Sequence, residues 1–162
     1  MQKSRDAAKR IDPARFITAS HAGDISREEL KEYLEKVRVD FISLHRPRDT
    51  DSPHQTEEKS KQYLSWIKEF GKSIPLHYQE PFRRGFTKGW DPNSSDFVTD
   101  ARAALNSGAA GWCLHNGDSR HAPGGKPRRS FDMREHRLFD QLDTEEKKAL
   151  RRLAEIFSSE IS

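Results

Sequence analysis

Residues 74–80 read Ile74-Pro75-Leu76-His77-Tyr78-Gln79-Glu80, a short apolar run that closes on polar side chains and is broken by Pro81. Three other stretches have the same shape. Upstream lie Arg15-Phe16-Ile17-Thr18-Ala19-Ser20-His21 and Val39-Asp40-Phe41-Ile42-Ser43-Leu44-His45, and downstream lies Ala109-Ala110-Gly111-Trp112-Cys113-Leu114-His115. Runs of this length and composition suit strands, and a helical pattern follows each. After the first comes Ser26-Arg27-Glu28-Glu29, a capping box whose side chains take up amides that a helix start leaves without partners. Leu30, Tyr33, Leu34 and Val37 then repeat at helical spacing. After the second, Tyr63, Leu64, Trp66, Ile67 and Phe70 mark a helix that Gly71 stops. The third leads through a Gly/Pro/Asn-rich loop to Phe97, Val98, Ala101, Ala104 and Leu105, ended by Gly108. Beyond the fourth, Asp143-Thr144-Glu145-Glu146 is another capping box, opening a helix with Leu150, Leu153, Phe157 and Ile161 on one side.

The runs begin near 15, 39, 74 and 109, which gives units of 24, 35 and 35 residues, suited to βα units joined by crossovers. The expected fold class is therefore α/β, with four consecutive βα units and a parallel sheet. Periodicity leaves open whether that sheet is a small doubly wound one or half of a closed barrel. At 162 residues the chain fits a single domain, 1–162, and is shorter than a complete (β/α)8 barrel of about 250 residues. Residues 1–10 are expected to be the end of a preceding helix, stopped at Asp12-Pro13 because a residue before proline avoids the α region. Residues 119–135, with Pro123, Gly124, Gly125 and Pro127, are expected to form a long loop.

Composition narrows the function classes. Nine Phe, three Trp and three Tyr argue against disorder. A net charge of +3 is too small to imply a nucleic-acid partner, and pairs such as Arg83-Arg84, Arg128-Arg129 and Arg151-Arg152 suit a solvated surface. Cys113, the single cysteine, cannot form an internal disulfide. The segment Met1 to Asp6 lacks the apolar core of a signal peptide, and nothing approaches the ~20 apolar residues of a membrane span. No membrane partner is expected, and the compartment stays open with the cytoplasm as default.

In parallel α/β folds the loops at the carboxyl ends of the strands build the site. All four runs end in side chains of functional type: Ser20-His21, His45-Arg46, Gln79-Glu80 and His115-Asn116-Gly117-Asp118. A polar terminus repeated four times suits a cleft better than four isolated caps. Glu80 is the sharpest candidate, because a carboxylate at a strand end can serve as nucleophile or base. Its bland alternative is a surface ion pair with Arg83 or Arg84. Trp112 is either a packing residue or a flat platform for a sugar ring.

The order of these motifs resembles the second half, strands five to eight, of a clan-A glycoside hydrolase barrel, the superfamily of retaining enzymes that includes cellulases, mannanases and β-galactosidases. The resemblance rests on Glu80 in Leu76-His77-Tyr78-Gln79-Glu80-Pro81, on Trp112 in Gly111-Trp112-Cys113-Leu114-His115, and on the opening Ile11-Asp12-Pro13-Ala14-Arg15-Phe16-Ile17-Thr18. It implies hydrolysis of O-glycosyl bonds with Glu80 as nucleophile-equivalent on strand seven. It also implies His21, His45, Tyr78, Trp112, His115 and Asn116 on the substrate, an oligo- or polysaccharide, with no cofactor. The family's acid/base glutamate belongs to strand four, ahead of Met1, while retaining hydrolysis needs two carboxyl groups about 5–5.5 Å apart. Asp24, Asp49, Asp51 and Asp118 do not occupy that position. The chain is thus expected to need a missing N-terminal barrel half, or to form a homodimer through its open strand edges. Two alternatives remain. One is a metal-dependent amidohydrolase-like enzyme using His21, His45 and Asp118, and the other is a noncatalytic carbohydrate-binding fragment.

Overall fold

The computed structural model describes residues 2–114 and 137–159. His115, Asn116, Asp118 and the loop expected at 119–135 lie outside the described residues.

Helix α1 spans Gln2–Ile11 and stops ahead of Pro13, with the Asp12 amide making a last bond to the Ala8 carbonyl at 2.9 Å. The first run then extends beside the second, but only Ser20–His21 joins the ladder as β1. Its earlier part is held by one backbone bond, from the Asp40 amide to the Ile17 carbonyl at 2.8 Å, and by side chains. The Ile17 amide donates to Asp40 Oδ2 at 2.9 Å and Thr18 Oγ1 donates to the Phe41 carbonyl at 2.6 Å. Helix α2, Arg27–Glu32, begins in the expected box, with Ser26 as N-cap and Glu29 closing back on the Ser26 amide. It runs into a π-helical turn, Tyr33–Val37, that ends with Arg38 in the left-handed region at φ 58°.

Strand β2 is Ile42–Leu44, α3 is Ser52–Glu69 and β3 is Leu76–Tyr78. Gly71, at φ 67°, ends α3 where a side chain would be strained. Helix α4, Ser94–Asn106, opens in a second box that the sequence reading passed over, with Asn93 accepting from the Ser95 and Asp96 amides. Strand β4 is Gly111–Trp112, α5 is Leu138–Gln141 and α6 is Thr144–Ser159. The box expected at Asp143 is present, since the Glu146 amide donates to Asp143 Oδ1 at 3.0 Å and the Asp143 amide to Glu146 Oε2 at 2.8 Å.

The sheet is four-stranded and parallel throughout, in the order β1-β2-β3-β4. It follows the chain without the reversal that marks a doubly wound sheet. Pairing also continues past the strand ends: the amides of His45, Gln79 and Cys113 donate to the carbonyls of His21, Leu44 and Tyr78 at 3.0, 3.0 and 2.9 Å. The backbone that carries the polar strand ends is therefore fixed by the same ladder as the strands.

Register assigns each residue to a face. His21, Leu44, Tyr78 and Trp112 lie side by side, as do Ile42 and Leu76 one step earlier on the same side. These pack with Leu30, Leu34, Tyr63, Ile67 and Ala104 from α2, its π-helical turn, α3 and α4, forming the main core. Full burial of a residue such as Leu44 contributes roughly 1.5–3 kcal/mol. On the opposite face the row is Ser20, Ser43, His77 and Gly111. Glycine suits that position, because a Cβ on residue 111 would lie 2.7 Å from His77 Cδ2 and the ring would have to shift.

Candidate functional site

The face opposite the helices carries polar side chains that bond to one another across the strands. Ser43 Oγ donates to Gln79 Oε1 at 2.8 Å, and Cys113 Sγ lies 3.6 Å from His77 Nε2. At the carboxyl edge, Ser20 Oγ lies 2.7 Å from His45 Nε2 and the other ring nitrogen, Nδ1, lies 3.7 Å from Glu80 Oε2. Arg48 completes the group, donating from Nη2 to the same Glu80 oxygen at 2.9 Å. Three successive strands thus bring Ser20, His45, Arg48 and Glu80 together.

Each is placed by local structure. Ser20 sits in the ladder itself. His45 follows β2 with its amide bonded to β1, and Glu80 follows β3 just before Pro81, which has no amide to continue pairing. The Arg48 guanidinium stacks 4.5 Å from the centre of the Phe86 ring, whose centre also lies 4.3 Å from the Arg83 guanidinium. Thr87 Oγ1 donates to the Arg48 carbonyl at 2.8 Å, so the loop after β3 clasps the loop after β2 and aims Arg48 at Glu80.

Burial pushes the His45 imidazole below its ordinary pKa; Glu80 pulls it upward, while Arg48 and His21 push it down with burial. The ring is neutral at neutral pH. One of its nitrogens therefore donates and the other accepts. Glu80 Oε2 receives the charge-assisted bond from Arg48, which fixes the orientation of the carboxylate.

The other expected residues are placed differently. His21 lies on the helix-covered side, with Nδ1 3.2 Å from Tyr33 Oη and Nε2 3.2 Å from the Asp24 carbonyl. Tyr78 is fully buried there, its hydroxyl 2.8 Å from Ser60 Oγ and its pKa pushed up by burial to about 12. Trp112 packs against all three apolar clusters, and its Nε1 donates to Asp100 Oδ2 at 2.6 Å. Tyr78 and Trp112 are packing residues in this arrangement, because the register turns both toward the helices rather than toward Glu80. Nor does Glu80 rely on Arg84, which pairs with Asp91 at 2.6 Å and with Asp143 at 2.7 Å.

Two of the carboxylates considered as a second catalytic group, Asp24 and Asp49, have their own partners. Asp24 pairs with Arg46 and, at 3.5 Å, with Lys59, while Asp49 Oδ1 accepts from the Asp51 and Ser52 amides at 3.1 and 3.0 Å. Among the described residues no three of His, Cys, Asp and Glu gather as a metal would require, and His21 and His45 face opposite sides of the sheet.

The sequence marks Ser20 among the polar strand ends without a role of its own and does not mark Arg48. Ser20 was legible as the partner of a strand-end histidine only once register was known. Arg48 lies in the loop three residues after His45, where only contact with Phe86 and Thr87 shows its direction. Comparison of the chain with protein-family models, curated proteins and solved structures returned no match.

Proposed function

We propose that the chain is a glycoside hydrolase-like protein in which Glu80 attacks the anomeric carbon of a sugar. The observation that carries this is the placing of Glu80 at the carboxyl edge of a parallel sheet, with Arg48 donating to its Oε2 at 2.9 Å and His45 Nδ1 3.7 Å from the same oxygen. A nucleophilic carboxylate must be aimed before the substrate arrives, and the Arg48 guanidinium fixed on one oxygen supplies that aim. In a retaining mechanism the carboxylate displaces the leaving oxygen, the glycosyl group becomes esterified to it, and water then releases the sugar. The displaced oxygen ordinarily takes a proton from a second carboxyl group. We assign that group to no residue of this chain, and place it on a partner that completes the barrel.

An activated dinitrophenyl glycoside tests Glu80 alone, because its leaving group departs without a proton. With 2-fluoro dinitrophenyl glucosides, galactosides and mannosides, the chain is expected to gain the mass of one glycosyl group on Glu80, found by peptide mass spectrometry. Glu80→Gln is expected to gain none. No adduct with any of the three sugars, or an adduct retained in Glu80→Gln, removes Glu80 as the nucleophile.

A further inference from the structure

Asp100 brings a carboxylate into the helix layer, and two other elements close on it. Thr56 Oγ1 from α3 donates to Oδ1 at 2.5 Å, and Trp112 Nε1 from β4 donates to Oδ2 at 2.6 Å. The residue is fully buried, and the cation that acts on it, Arg46, makes its ion pair with Asp24 instead. The two donors favour the ionised form, while burial without an ion pair favours the acid. Burial prevails. The surroundings accept either form, because Thr56 Oγ1 also lies 2.9 Å from the Ser52 carbonyl. With Asp100 ionised, Thr56 donates to it; with Asp100 protonated, Thr56 accepts a hydrogen bond from it and donates to Ser52.

Trp112 is the contact that belongs to an outer strand. Strand β4 has two residues and pairs on one side only, with β3. Short edge elements open locally far more often than a whole fold unfolds. An opening that carries the Trp112 N–H off Asp100 admits water, which solvates a carboxylate better than it does the acid. The closed form therefore binds the proton more tightly than the open form, and protonation favours closure. We propose that Asp100 is a proton-operated latch for β4: the acid form keeps this outer strand closed on α4, and loss of the proton favours its opening. The charged or titratable groups around Asp100 are few. Arg46 faces it from the loop after β2 and Tyr78 from β3, and burial holds the tyrosine un-ionised. Asp24, itself paired with Arg46 and Lys59, completes the set. Helix α6 packs on α4 and Trp112 through Leu153, Ile156 and Phe157, while its Glu145 and Arg152 reach Ser94 and Ser95 at the start of α4. His77 lies against Gly111 and Cys113 on the other face of β4. Burial lowers its pKa, so it gains charge only as the pH falls and acts on β4 in the opposite direction.

Hydrogen exchange at the Ala110 and Cys113 amides, which donate to the Leu76 and Tyr78 carbonyls, reports the opening. Rates are measured by NMR on the full chain at pH 5, 6 and 7 and corrected for the intrinsic pH dependence of exchange. With a closed-form pKa of about 6 and an open-form value of about 4, protection of the two amides relative to Asp100→Asn should fall about tenfold between pH 5 and pH 7. His77 is present in both proteins and cancels in the ratio. A ratio that stays constant or rises with pH overturns the latch. Low concentrations of urea should leave this exchange unchanged, since a local opening exposes little surface. If β4 protection falls with urea as steeply as that of the Ile42 amide, bonded to the Pro75 carbonyl inside the sheet, the opening is global and the latch fails. The carboxyl 13C signal of Asp100 gives a second measurement, independent of whether Asp100→Asn folds. It should titrate near pH 6 in the native chain and higher in Trp112→Phe, which loses a donor to the ionised form. A native midpoint below pH 4.5, or one unmoved in Trp112→Phe that circular dichroism shows to be folded, overturns the proposal.

Discussion

Asp100 is fully buried in α4, where Thr56 Oγ1 donates to one of its oxygens at 2.5 Å and Trp112 Nε1 to the other at 2.6 Å. Burial raises its pKa to about 6 despite these bonds and the nearby Arg46. An acid whose folded value is raised contributes stability below its unfolded value of about 4 and loses it as the pH climbs through 6. His45 and His77 act oppositely, since burial lowers both and the chain loses stability as they are protonated. The comparison that isolates Asp100 is therefore Asp100→Asn against native. The stability of the variant relative to native should rise between pH 4 and pH 7 in urea titrations, and a constant difference would remove the assigned cause. Arg46 sits in the same buried layer, in the left-handed region at φ 58°, bonded to Asp24, to Thr56 Oγ1 and to the Ser52 carbonyl. Its truncation in Arg46→Ala should cost roughly 3 kcal/mol, because buried acceptors lose their donor while half-exposed Asp24 recovers water. The sequence showed Arg46 only as a polar residue beside His45. That its side chain turns inward follows from a backbone twist no residue type announces.

At the level of strands and helices, much could be read in advance because the signals were local. Ser26, Glu29, Asp143 and Glu146 mark helix starts through contacts three residues apart, and Gly71 and Gly108 mark helix ends through positive φ. Ser26→Ala should lower stability by about 1 kcal/mol, measured by chemical denaturation. Strand lengths were less legible. The seven-residue run ending at His21 contributes two residues to the ladder, because the Ile17 amide turns to the Asp40 carboxylate and Thr18 bonds the Phe41 carbonyl through its hydroxyl, leaving a single backbone bond, Asp40 to Ile17, ahead of Ser20. Which strand-end residues meet also depended on register, a property of two strands at once. Tyr78 and Glu80 stand two residues apart, yet one packs under α3 and the other joins Arg48 beyond the strand end. The contact of Gly111 with His77 tests the β3–β4 register. Gly111→Ala should destabilise by about 1–3 kcal/mol. Combining it with His77→Ala should cost less than the two single changes together, since the ring that obstructs the new methyl is gone. Simple additivity in a double-mutant cycle would refute that register.

For the molecule as a whole, the sequential parallel order leaves β1 and β4 as outer strands. Each has two residues, which limits the length of ladder that either offers to a neighbour. Near the amino ends of the strands, Phe16, Asp40, Phe41, Pro75, His77 and Ala110 line an open hollow of about 390 Å3, and Phe16 is 77% exposed. Short outer strands and an apolar hollow with exposed Phe16 favour association, so light scattering at rising concentration should show dimers or larger species. A monodisperse monomer at high concentration would count against this. The β4 edge carries its own chemical reporter. Cys113 is exposed directly after β4, with its amide bonded inward to Tyr78 and its sulfur beside His77. The rate at which a thiol reagent consumes Cys113 therefore measures how often that edge stands open. Slower consumption as the chain is concentrated would time the capping of the sheet from within, without a probe added to the fold.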